Sequence, residues 1–116
     1  RMPKQTEEEK KVRSAKMQAG LKTAIMVPLT TMQLGDQAWD TLCEAARYSN
    51  IGCKSDMQVG ARSLETGIWG AYQNVLINMD GIKDESFKTE ILAQAEAMNK
   101  RAKEKCLELL EILESR

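Results

Sequence analysis

The sequence predicts an all-α protein, an antiparallel bundle of long helices. Apolar residues recur at steps of three and four over long stretches, as one buried helix face requires. Prolines number 2 in 116 residues, so long helices can run unbroken. Aromatic residues make up only 4% of the chain, so the core must be aliphatic side chains, Ala and some of the 7 Met. That composition favours helices over strands.

Four helices follow in order. The first begins after Pro3, with Thr6 as N-cap and Glu9 positioned to reach back in a capping box. Glu7, Glu8 and Glu9 in the first turn suit the helix dipole, and Glu7–Lys11 and Glu9–Arg13 are spaced to pair. Its expected stripe is Val12, Met17, Leu21, Ala24 and Ile25, and Pro28 should end or kink it. A second helix is expected from Leu29 to Tyr48, with Leu34, Ala38, Leu42 and Ala45 on one face. Ser49-Asn50-Ile51-Gly52 reads as a turn.

Ser55-Asp56-Met57-Gln58 has capping-box form, which makes Ser55 the expected N-cap of a third helix reaching Met79. Its stripe is Leu64, Ile68, Ala71, Val75 and Met79. Beside that stripe runs a row of small residues, Gly60, Ser63, Gly67 and Gly70, continuing to Asn74. Each helical Gly costs about 1 kcal/mol relative to Ala, so three on one face need a reason. Either another helix backbone packs closely there, or a flat ligand lies against the face. Asn74 and Asn78 point the same way and serve helix-to-helix hydrogen bonds or recognition of a polar heterocycle. A fourth helix starts near Asp84, with Phe87, Ile91, Ala95, Met98, Ala102, Cys106, Leu109 and Leu113 as a near coiled-coil seam. Lys100, Arg101, Lys103 and Lys105, amid glutamates, read as its solvated face.

Charge is uneven. Lys22, Arg47, Lys54 and Arg62 are the only basic residues between positions 17 and 80, while both ends are dense in charge. The middle therefore reads as the buried part. The formal net charge of +0 argues against a nucleic-acid binder. The longest apolar run, Ala24-Ile25-Met26-Val27, is far short of the roughly 20 residues that span a bilayer. Histidine is absent, which excludes His-based triads and His-containing metal sites within this chain. The 3 cysteines, Cys43, Cys53 and Cys106, are too scattered for a zinc site or disulfide framework, and free thiols suggest the cytoplasm.

Without His, proton transfer falls to Asp, Glu, Lys, Tyr or Cys. Asp56 is the best-placed candidate, near a helix start that stabilises its charge; the same position also simply favours the helix start. Cys53 lies beside the same terminus. Lys54 and Arg62 are groups an anionic substrate would need, or are solvated residues.

Several separated blocks carry a more specific signal. They are Asn50-Ile51-Gly52-Cys53-Lys54-Ser55-Asp56-Met57-Gln58-Val59, Leu64-Glu65-Thr66-Gly67-Ile68-Trp69-Gly70-Ala71-Tyr72, Asn74-Val75-Leu76-Ile77-Asn78-Met79 and Ile82-Lys83-Asp84-Glu85-Ser86-Phe87. With Val27-Pro28-Leu29 and the opening Met2-Pro3-Lys4, they resemble the formimidoyltransferase-cyclodeaminase family in order and spacing over essentially the whole chain. The resemblance is to the cyclodeaminase domain of the bifunctional animal-type enzyme. It implies a helical cytoplasmic domain that converts 5-formimidoyltetrahydrofolate to 5,10-methenyltetrahydrofolate and ammonia in histidine breakdown. Related proteins of the same fold include a methenyltetrahydrofolate cyclohydrolase.

The resemblance further implies polyglutamylated tetrahydrofolate as substrate, no metal or redox cofactor, helix-mediated homodimers or larger rings, and a separate formimidoyltransferase domain. It places residues 1–116 in the C-terminal part of the cyclodeaminase domain. The family's Gly-rich segment and its principal acidic residue would then lie upstream of Arg1. Ser55, Asp56, Asn74 and Asn78 match family positions. The expected substrate-binding residues are thus Ser55, Asn74, Asn78, Lys54 and Arg62, with Asp56 as the catalytic candidate in this chain. A non-catalytic pairing module built on the glycine face and the fourth helix is the other class of reading.

Overall fold

A computed structural model of the chain describes residues 6–116. The Met2-Pro3-Lys4 block lies outside the described residues. Four α-helices account for the described fold: α1 (Glu7–Gln37), α2 (Trp39–Tyr48), α3 (Lys54–Met79) and α4 (Glu85–Glu114), with a short 3₁₀ turn at Ile51–Cys53 before α3. Helix α1 starts at Glu7 behind the expected N-cap Thr6, whose Oγ1 accepts from the Glu9 N–H at 3.1 Å. Glu7 pairs with Lys10 at 3.5 Å, one residue short of the Lys11 expected.

Pro28 does not end the first helix. α1 runs through it to Gln37, and α2 begins only at Trp39. A mid-helix proline costs about 3 kcal/mol. The cost is carried by burial on both sides of it, since Ile25, Leu29 and Met32 are all at most 1% exposed. The apolar faces also differ from expectation. Val12 and Met17 are exposed, because the first turns of α1 meet little of the bundle. On α2 the buried residues are Trp39, Cys43 and Ala46, one position on from the expected Ala38, Leu42 and Ala45, while Leu34 is exposed. The faces expected for α3 and α4 bury as a continuous stripe, from Ile68 to Met79 and from Ile91 to Leu113.

Cross-links between helices fix the topology. Lys54 and Gln58 at the start of α3 both meet Glu114 at the end of α4, so these helices are antiparallel. Gly35 near the end of α1 packs against Leu64 and Ile68, whereas Leu21 packs against Gly81, so α1 and α3 are antiparallel too. α3 lies between α1 and α4, and α2 continues along α4. The result is a thin slab, 68 × 28 × 16 Å across its Cα atoms.

Polar clasps close the turns. Asp84 N-caps α4 by accepting from the Phe87 N–H at 3.1 Å, and the same carboxylate takes Lys22 Nζ at 2.8 Å. Gln18 holds the α3–α4 turn at two points: its Nε2 donates to the Gly81 carbonyl and its Oε1 accepts from the Lys83 N–H, each at 2.9 Å. Arg101 forks onto Asp36 at 2.6 and 2.7 Å, and Lys105 meets Asp40 at 3.1 Å. These pairs tie α4 to the junction between α1 and α2.

Candidate functional site

The outer face of α3 is built from small residues. Asp56, Gly60, Ser63, Gly67, Gly70 and Asn74 step by four and three, so they share one side of the helix. The buried stripe of Ala61, Ile68, Ala71, Val75 and Met79 occupies the other side. A Cβ built on Gly60, Gly67 or Gly70 would meet nothing within 4 Å. No backbone of the described residues packs on the row. The tight glycine is Gly35 on α1, where a Cβ would lie 2.9 Å from Ile68 Cγ1.

Beside the row, α1 and α3 frame a groove of about 610 Å³. Ala24, Val27, Pro28 and Thr31 form the α1 wall; Gly67, Gly70, Asn74 and Asn78 line the α3 side. Asn78 Nδ2 donates to the backbone carbonyl of Asn74 at 2.9 Å, which commits its amide nitrogen to the helix. Asn74 is exposed, and among the described side-chain hydrogen bonds its carboxamide takes no part. The groove thus joins a flat floor without side chains to one available carboxamide. It can take a planar, mostly apolar group with a hydrogen-bonding edge.

A second recess adjoins it and shares Gly67. Arg62, Ser63 and Thr66 line it from α3, and Leu110 and Glu114 from α4. Arg62 pairs with Glu65 at 3.5 Å across an exposed surface, and Lys54 pairs with Glu114 at 3.6 Å. Such exposed pairs are weak and open readily to an incoming anion.

The sequence-predicted residues are therefore divided. Asn74 and Asn78 stand together in the first groove; Arg62 lines the second recess, and Lys54 pairs with Glu114, another residue of its lining. Ser55 and Asp56 are exposed and line neither. Ser55 is not the N-cap. The 3₁₀ turn runs directly into α3, so Cys53 takes that position and Ser55 falls in the first helical turn. Asn50 caps the turn instead, its Oδ1 accepting from the Gly52 N–H at 2.8 Å. Asp56 keeps the glycine face but lies 18 residues before Asn74, about 27 Å along the axis at ~1.5 Å per residue. The α1 wall was missed by sequence reasoning. A proline inside an otherwise helical pattern was its visible signal; Leu110 and Glu114 carried none.

The thiols divide by burial. Burial pushes the Cys43 and Cys106 thiols above their ordinary range, with Glu108 adding to the effect at Cys43 and Glu65 at Cys106. Both are therefore protonated core groups rather than nucleophiles. Cys53 is exposed. Among the described residues no charged side chain is buried, and no cluster of Cys, Asp or Glu could hold a metal ion. No helix of the described residues is long and apolar enough to cross a membrane.

Comparison with known proteins gives these features a context. The family model for formiminotransferase-cyclodeaminase matches residues 1–97. The formimidoyltransferase-cyclodeaminase of Gallus gallus is 43% identical over all 116 residues, which correspond to 21% of that protein. That of Dictyostelium discoideum is 45% identical over 96 residues, covering 83% of this chain and 18% of the relative. The methenyltetrahydrofolate cyclohydrolase of Methylorubrum extorquens is 36% identical over 107 residues, covering 86% of this chain and 51% of the relative. The chain thus spans about a fifth of the length of the bifunctional relatives.

Proposed function

This chain belongs to the formiminotransferase-cyclodeaminase family, and from that premise we propose that it is the C-terminal part of a helical cyclodeaminase domain acting on a reduced folate. The reaction is closure of 5-formimidoyltetrahydrofolate to 5,10-methenyltetrahydrofolate with release of ammonia. The second folate nitrogen attacks the formimidoyl carbon and loses its proton. The former imino nitrogen gains protons and departs as the amine. The work is proton transfer plus positioning.

The observation that carries this reading is the open glycine row. Three glycines that no part of the described fold needs leave a flat surface for a planar ring, with Asn74 at its edge. Arg62 and Lys54 are loosely paired in and beside the adjoining recess, and in this reading they take the carboxylates of a polyglutamate tail. Ser55 lies in the same first turn of α3 as Lys54 and serves that anionic end. Asp56 is this chain's candidate proton carrier. It lies about 27 Å from Asn74 along α3, so in this reading a second copy brings its Asp56 to the ring and the working unit is a homodimer or larger assembly. A formimidoyltransferase domain in the same protein supplies the substrate, and the compartment is the cytoplasm.

Gly70→Leu in the complete protein tests the reading. Space exists for the new side chain, so the fold should hold while the affinity for 5-formyltetrahydrofolate, a stable reduced folate, falls at least tenfold. Unchanged affinity would remove the groove from the site.

Two further readings rest on specific observations. Similarity to the Methylorubrum cyclohydrolase supports hydrolysis of the methenyl group as the alternative to deamination. Ammonia release from the formimidoyl substrate separates them. The exposed Val27, Val59 and Ile77 favour a non-catalytic pairing face. A stable oligomer with no folate affinity would support that alternative.

A further inference from the structure

α1 weakens at one place. Pro28 has no N–H, so the helical bond to the carbonyl of Ala24 is missing, and a proline ring crowds the carbonyl four residues before it. Just beyond it, Thr30 donates its hydroxyl to the Met26 carbonyl at 2.8 Å, and Thr31 donates to the Val27 carbonyl at 3.3 Å. Threonines bonded back in this way loosen and bend a helix. Residues 24–31 therefore gather the lost bond and both threonine bonds in one stretch, while helix continues on either side.

The two sides are held differently. After Pro28, Leu29 and Met32 are buried, and Gly35 seats tightly against Ile68. Before it, Ile25 alone is buried, with Leu21 partly so against Gly81. The remaining hold is a polar row, Ser14, Gln18 and Lys22, spaced by four on one helix face. Lys83 Nζ donates to Ser14 Oγ at 3.3 Å, Gln18 bonds the Gly81 carbonyl and the Lys83 N–H, and Lys22 meets Asp84. All four bonds join α1 to the α3–α4 turn, and all are exposed, so water readily replaces them.

We infer that the part of α1 before Pro28 is a hinged arm: it pivots about residues 24–31, and the clasp of Ser14, Gln18 and Lys22 holds it closed on the α3–α4 turn. Its release widens the groove at the end lined by Ala24, Asn74 and Asn78. Opening also uncovers Ile25, so the closed form dominates at rest. The arm keeps its own cap, Thr6, and moves as a helix. The inference does not depend on which molecule the groove takes.

Electron–electron distance measurements between spin labels on the complete protein test it, with exposed thiols, Cys53 among them, replaced by Ser. Lys11→Cys and Glu90→Cys span the arm; Gln37→Cys and Lys103→Cys span the part of α1 beyond Pro28, all at exposed positions. The first pair should give a main short distance and a minor longer one. Gln18→Ala should raise the ratio of long to short about fivefold, the size of one net hydrogen bond. Pro28→Ala restores the helical bond and should lower that ratio by at least as much. The second pair should keep one distance throughout. A single distance for the first pair in every variant, or a ratio that Gln18→Ala leaves unchanged, would overturn the arm. A Pro28→Ala variant that opens as the natural chain does would overturn the hinge. Equal broadening of both pairs would show general loosening and overturn both.

Discussion

Small residues line two faces of this molecule, to opposite effect. Along α4, Ala95, Ala102 and Cys106 are at most 1% exposed, and they let α3 and α2 come close enough to bury Leu109 and Leu113 completely. Along the outer side of α3, Gly60, Gly67 and Gly70 face open space. A small residue in a helix stripe is therefore ambiguous until its neighbours are known. In α4 it is part of the core, where packing is dense and each methylene matters. On α3 it is an absence of side chains that the described fold does not use, at a cost of about 1 kcal/mol per glycine.

Substitution should separate the two faces sharply. Ala102→Leu forces a larger side chain into the closed seam and should destabilise by about 3 kcal/mol, read as a lowered midpoint in urea at unchanged slope. Stability within a few tenths of wild type would mean that the seam is looser than its burial indicates. Gly35→Ala is the closed-contact control on α1. With Ile68 Cγ1 only 2.9 Å from the new methyl, it should cost about 1 kcal/mol. Gly67→Ala and Gly70→Ala should do the reverse, each raising stability by roughly 0.5–1 kcal/mol because the helix gains and nothing is struck. A fall in thermal stability in the complete protein would reveal a neighbour seated on the row.

The smallest effect concerns the clasp at the start of α4. The Lys22 ammonium, followed by the Phe87 N–H, holds the Asp84 carboxyl below the usual carboxylate range. Its contribution is full above the unfolded-chain value of about 4 and is lost as pH falls through the lower folded value. Asp84→Asn should flatten the acid limb of melting temperature against pH below about 4. An unchanged limb would assign acid sensitivity to other carboxylates.

Much of the fold was legible because it rests on local chemistry. Thr6 and Asp84 cap their helices as residues of that type do, each accepting from the N–H three positions on. The α4 seam was readable from its spacing alone, because every member from Ile91 to Leu113 buries. The candidate site was legible in half. The glycine row and Asn74 stand out in the sequence, but the wall they face comes from α1, about forty residues earlier, and no local pattern pairs the two.

The amino-acid sequence by itself determined that the chain is helical, where α3 ends and α4 begins, that no histidine chemistry operates within it, and to which family it is similar. Those follow from side-chain periodicity, capping and residue type, which act within a few turns. Tertiary structure decided that α1 passes through Pro28, because burial of Ile25, Leu29 and Met32 outweighs the lost hydrogen bond. It moved the buried face of α2 by one residue, because α2 packs along α4. It also decided that Gly35 is tight while Gly67 and Gly70 are open. A helix face records which residues are small; only the neighbouring elements determine whether that smallness is filled.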